Sequence, residues 1–135
     1  MDPEAMMRRF YEGMSTGETS FADDLIASDY EDIPVMPGTS GGPEGCRGTV
    51  AFLRSAFPDL TMTAEDVVVS GDRVAVRSTA RGTHEGDFMG VPATGRPVEF
   101  SAFDFHHLSE GRFRRSWHLE DNLDLLTQIR GDTGF

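Results

Sequence analysis

Lysine is absent from this chain. All twelve basic side chains are arginine, set against twenty-three Asp and Glu residues, for a formal net charge of -11 over 135 residues. A surface so short of positive charge repels phosphate backbones and anionic lipid, which argues against a nucleic-acid partner or a membrane-surface role. Cysteine occurs once, at Cys46, so neither an internal disulfide nor a thiolate metal cluster can form. No apolar run approaches the roughly 20 residues that span a bilayer. The N-terminal MDPEAMMRRF lacks the apolar core and small-residue cleavage site of a secretory signal. The expectation from these absences is a soluble cytoplasmic protein.

What is present fits one domain, residues 1–135, with no repeat and no low-complexity tract. With 38% hydrophobic and 26% charged residues the chain is not disordered. At this size about two-thirds of the unfolded surface is buried on folding, enough for a core and one small-molecule pocket.

Met6, Met7, Phe10 and Met14 recur at helical spacing from about Pro3 to Met14, with Gly17 just beyond. A short second helix is expected over 21–27. The segment 33–45, IPVMPGTSGGPEG, is a loop by its proline and glycine content. A third helix follows, with Cys46, Val50, Leu53 and Phe57 on its apolar face and Pro58 at its end. Cys46 on that face reads as inert core.

The period then changes to two. A strand–turn–strand bends at Ser70-Gly71-Asp72, and Val74, Val76, Ser78 and Ala80 share one face of its second arm. After a Gly/Pro-rich loop, HEGDFMGVPATGR, strands are expected over 97–108 and 113–120, joined at Glu110-Gly111. A last helix covers 122–129, with Gly131 as its C-cap. Helices first and an antiparallel meander second indicate an α+β fold. A curved sheet wrapped around the leading helices would enclose a cone-shaped pocket.

The stretches AFPDL, VVVSGDRVAVRSTARGTHEGDFMGVPATGRPVEF and EGRFRRSWHLEDNLDLLTQI resemble the SnoaL-like polyketide cyclase family of the nuclear transport factor 2-like superfamily. The resemblance runs from about Gly45 to Gly131 and rests on GTHEG…GVPATGR and on the spacing of Trp117 and Asp121. It implies the α+β cone, with an antiparallel or mixed sheet, and a homodimer formed through the outer face of that sheet. The superfamily carries several reactions and non-catalytic binders on this scaffold, so the resemblance speaks to fold before reaction.

By the same resemblance Asp121 is the general acid/base of an aldol-type ring closure, in an apolar pocket walled by Trp117, Leu119, Phe103 and Phe105. An Asp opening a helix is also a favoured N-cap, and both readings of Asp121 stand. His106 and His107 must point to opposite faces of their strand. His107, on the face of Phe103 and Phe105, is the expected supporting donor, while His106 and Asp104 fall on the outer or interface face, an assignment that a bulge in this strand would reverse. His84 at a strand end, His118 and Asp32 are further candidate substrate contacts, though each histidine has an ordinary structural reading. No HxH or HExxH spacing occurs, so no metal and no cofactor is expected.

Two features depart from the family: Asp32 and Ile33 stand where many relatives place Asn or His, and Arg115 where relatives commonly carry an acid. Pointing inward, Arg115 would hold Asp121 or Asp32 ionised; pointing outward, it belongs to a solvated strand edge. The expected activity is cofactor-free ring closure of a small, apolar, oxygenated carbonyl compound. Hydroxylation, isomerisation, epoxide opening or plain binding in the same pocket are the alternatives.

Overall fold

A computed structural model of the chain describes residues 1–36 and 38–131. Pro37, inside the expected 33–45 loop, and residues 132–135 of the expected domain lie outside the described residues.

Helix α1 (Pro3–Thr16) begins where Asp2 accepts a hydrogen bond from the Ala5 amide at 2.8 Å, with Pro3 in the first turn. It ends at Gly17, whose φ of 78° is the left-handed conformation that a side chain would strain. Helix α2 (Phe21–Leu25) stops short of the expected residue 27, because strand β1 (Ile26–Ile33) takes over. That strand is absent from the sequence reading. Its pairing breaks between Ile26 and Glu31, so the buried positions Ile26, Ala27 and Tyr30 keep no clean period of two.

Helix α3 (Gly42–Ala56) buries Cys46 and Val50 as expected, and Phe57 closes it. Strands β2 (Thr61–Ser70) and β3 (Arg73–Thr83) form the first hairpin. Strands β4 (Pro97–Ser109) and β5 (Arg112–Glu120) form the second. Its turn residues Glu110 and Gly111 both have positive φ, 54° and 76°, as a tight hairpin turn demands. Helix α4 (Asn122–Arg130) ends at Gly131, φ 74°, as read from the sequence.

The sheet order is β1-β5-β4-β3-β2, with β1 parallel to β5 and every other pair antiparallel. The meander of β2–β5 is therefore extended by β1 into a mixed sheet. All four helices pack on one face, called inner here. One core cluster joins α1–α3 to Val74, Val76, Leu108 and Phe113; a second joins Phe57, Leu60, Ala80, Val98 and Phe100 to Leu125 and Ile129 of α4. A pocket opens between them. No helix among the described residues is long and apolar enough to cross a membrane.

Candidate functional site

Strand parity decides which side chains reach the pocket. On β4 the even positions Phe100, Ala102, Asp104 and His106 face inward. On β5, counting by twos from buried Phe113 would turn Arg115 and Trp117 inward. The register slips by one residue between His107 and Leu108, however, so Ser116, His118 and Glu120 face the pocket instead. The slip aligns Asp104 with His118 and His106 with Ser116 across the two strands.

Phe10, Met14, Leu53, Leu60, Met62 and Phe100 supply the apolar wall. The opposite wall, from β1, β4 and β5, is polar and forms two linked groups. In the first, His118 Nδ1 lies 2.8 Å from a Glu120 carboxylate oxygen, and its Nε2 lies 2.6 Å from the Pro34 carbonyl and 3.4 Å from Asp32 Oδ1. A carbonyl can only accept, so Nε2 carries a proton; facing a carboxylate, Nδ1 carries the other. His118 is thus an imidazolium. Burial opposes that charge, but the Glu120 hydrogen bond and the charges of Asp32 and Glu120 outweigh it and push the pKa up to about 9. Asp32 moves the other way from an ordinary ion-paired acid. Burial raises it to about 6, and the nearby cation only partly offsets that.

The second group descends from α1. Tyr11 donates its hydroxyl proton to Asp104 across 2.5 Å and stands 2.9 Å from His106 Nε2. His106 Nδ1 lies 2.6 Å from Ser116 Oγ. Burial pushes His106 down to about 3, so the ring is neutral. Burial also lifts Asp104 to about 6 against the Tyr11 hydrogen bond. The sequence reading had set His106 and Asp104 outside; both line the pocket.

Of the expected contacts, Asp32 and His118 reach this cavity and the others do not. Asp121 is exposed and caps α4, accepting from the Asp124 amide at 3.2 Å. His107 pairs with Asp72 at 3.2 Å beside the β2–β3 turn. Phe103, Phe105 and Trp117 stand on the outer face, Phe103 61% exposed and Phe105 meeting Trp117 edge to face. Arg115 lies outward, over the Trp117 ring and bonded to Glu31 at 2.9 Å. His84 is fully buried, bonded to Thr94 at 3.0 Å inside the 84–96 loop rather than at a pocket mouth.

The physical reason is that odd and even positions of β4 both carry apolar residues, so alternation alone fixes no face there, while on β5 the apolar Phe113, Trp117 and Leu119 share one parity until the slip turns the last two outward. A usable signal was present: Asp104-x-His106 and His118-x-Glu120 each place two titratable groups on one face of adjacent strands. Cys46 also lines the pocket, but burial pushes its thiol up to about 12, which leaves it unreactive. Gly13–Gly17 spells GMSTG, the letters of a nucleophile elbow. Ser15 instead lies within α1, bonded to the Tyr11 and Met62 carbonyls. Among the described residues, no three His, Cys, Asp or Glu side chains are grouped as a metal-ligand set.

Comparison with known proteins adds a lineage to this geometry. Residues 4–129 match the family model described as SnoaL-like polyketide cyclase. The aklanonic acid methyl ester cyclase DnrD of Streptomyces peucetius is 29% identical over 117 residues, covering 83% of this chain and 81% of its own. Among solved structures, TsrD of Streptomyces laurentii superposes with a TM-score of 0.87 at 28% identity, covering 96% and 97% of the two chains. IdmH of Streptomyces antibioticus gives a TM-score of 0.82 at 36% identity, covering 96% and 99%.

Proposed function

The chain belongs to the SnoaL-like polyketide cyclase family, on a nuclear transport factor 2-like α+β fold, and from that premise we propose that it closes a ring in a small polyketide carbonyl compound by intramolecular aldol addition, without a cofactor. The observation that carries the reading is the Asp32–His118–Glu120 group on the wall of an otherwise apolar pocket.

The reaction needs a base at a carbon next to a carbonyl, stabilisation of the enolate, and a proton for the alkoxide left by closure. Asp32, with a pKa of about 6, is ionised near neutrality yet far more basic than an exposed carboxylate. It takes the proton from carbon. Both N–H groups of His118 are already engaged, so His118 acts through its charge, offsetting the enolate without giving up a proton. Glu120 holds the imidazolium in place. The new carbon–carbon bond turns the attacked carbonyl into an alkoxide, and Asp32 returns the proton to it. The net change is one proton moved from carbon to oxygen.

The partner expected on this reading is a small apolar, oxygenated molecule, turned over in the cytoplasm. A second copy of the chain belongs to it too: Val68, Ala75, Phe103, Phe105, Trp117 and Leu119 make an apolar area on the outer face that suits a two-fold dimer. The test is turnover of aklanonic acid methyl ester, the compound in the relatives' names, beside simpler β-keto esters, followed by chromatography. Closure that disappears in Asp32→Asn supports the proposal. Tight binding without product in the wild type would make the pocket a binding site instead.

A further inference from the structure

Ser116, His106, Tyr11 and Asp104 form a continuous line of hydrogen bonds along the polar wall, at 2.6, 2.9 and 2.5 Å. We infer that Tyr11 is a positioning residue: with His106 and Ser116 behind it, it aims a one-way chain of donors at Asp104 and holds that carboxylate ionised against the pocket, as the acceptor for a substrate hydroxyl. The chain rests on geometry alone; the use of Asp104 rests on the cyclase reading.

The direction follows one step at a time. An ionised Asp104 only accepts, so the Tyr11 hydroxyl must donate to it. The Tyr11 oxygen is then free to accept, and His106 Nε2 supplies the proton. A neutral ring protonated at Nε2 has a bare Nδ1, which accepts from the Ser116 hydroxyl. Tyr11, His106 and Ser116 are 3%, 1% and 2% exposed, so bulk water is a poor substitute for a lost partner. Reversing the chain requires a protonated Asp104 and the Nδ1–H tautomer of His106, so that tautomer reports the direction.

The groups facing Asp104 are Tyr11 from α1, Tyr30 and Asp32 from β1, Cys46 from α3, His106 from β4, and Ser116, His118 and Glu120 from β5. Only His118 is a cation among them. Two neighbouring carboxylates disfavour a third negative charge, and Tyr11 is the donor that offsets them. Tyr11 also borders a surface groove between α1 and β2.

The experiment is NMR on the whole protein, with 13C-labelled Asp carboxyls and 15N-labelled histidine rings, Asp104 being assigned by its loss in Asp104→Asn. At pH 8 the wild-type His106 ring should be neutral and protonated at Nε2; an Nδ1–H tautomer overturns the chain. In Tyr11→Phe the Asp104 midpoint should rise by about one pH unit or more, since a bond to a charged group is lost. An unchanged midpoint overturns the role of Tyr11. Should that variant fail to fold, the wild-type tautomer still decides. In the closure assay, Tyr11→Phe should raise KM about tenfold and leave kcat within about threefold; a loss confined to kcat overturns the substrate-holding role. The NMR readings need no substrate, so a wild type that closes no ring defeats the cyclase reading and leaves the chain to be judged separately.

Discussion

Over residues 103–106 of β4 and 116–120 of β5, the two faces of the hairpin reverse the usual arrangement of a sheet, unlike its ends, where Val98, Phe100, Leu108 and Phe113 are buried in the core. Its inner face carries Asp104, His106, Ser116, His118 and Glu120 toward the cavity, while its outer face shows Phe103, Phe105 and Leu119 to solvent with Trp117 half-buried beside them. A sheet held only by its core would do the opposite. Polar groups are costly inside unless bonded, and here each has partners within the wall or opens on the cavity. Apolar groups outside are costly unless covered. The contrast teaches that neither face is explained by folding alone; the proposed ring closure would use the inner one and the proposed dimer would cover the outer one.

The largest expected effect falls on the inner face. Asp32→Asn should lower the rate of closure by about 10²- to 10⁴-fold with the fold unchanged by circular dichroism. Full turnover in that variant would remove Asp32 from the mechanism. On the outer face, the proposed dimer should sediment as such in wild type, and Phe103→Glu combined with Leu119→Glu should turn it into a monomer. Closure per protomer should stay within a few-fold of wild type, because neither side chain reaches the pocket. Dimers that persist would place the interface elsewhere and dissolve the contrast.

Stability against pH sharpens the inner half. The His118 pKa is raised from its ordinary 6.5 to about 9 by the fold. The native state therefore binds this proton more tightly than the unfolded chain. Its contribution is complete below about pH 6.5 and is lost as pH rises through about 9. Denaturant titrations at pH 7 and pH 10 should show a loss of about 1–2 kcal/mol in wild type, the shift being partly screened by solvent at this half-buried ring, that is missing in His118→Gln. An equal loss in both would mean that His118 is not the charged centre of the wall. The smallest effect belongs to Asp121→Ala, which removes the α4 cap. It should cost about 1 kcal/mol in denaturant unfolding and leave closure intact; a collapse of closure would return the acid/base role to Asp121.

Much of the architecture was legible in the residues. Helical spacing of Met6, Phe10 and Met14, the punctuation at Gly17, Pro58 and Gly131, and the change to a period of two after Leu60 locate most elements within a few residues of where they lie. Strand β1 was not, since its irregular pairing erases alternation. The site was legible only in part: Asp32 and His118 were named, while Tyr11, Asp104, His106, Ser116 and Glu120 were not assigned to it.

The reason lies in the kind of information each level holds. Local spacing determined the α+β class and the order of every element but β1, because those depend on neighbours within a few residues, while the family was read from the resemblance of longer segments. Which face of β4 and β5 turns inward was decided by a one-residue slip opposite Leu108 and by helices packing from the other end of the chain. Strand β4 is apolar on both faces and has no preferred side until a partner covers one of them, and β5 follows it through the slipped register. Only the tertiary structure supplies that partner, and with it the choice between the acid that caps a helix and the acids that face the pocket.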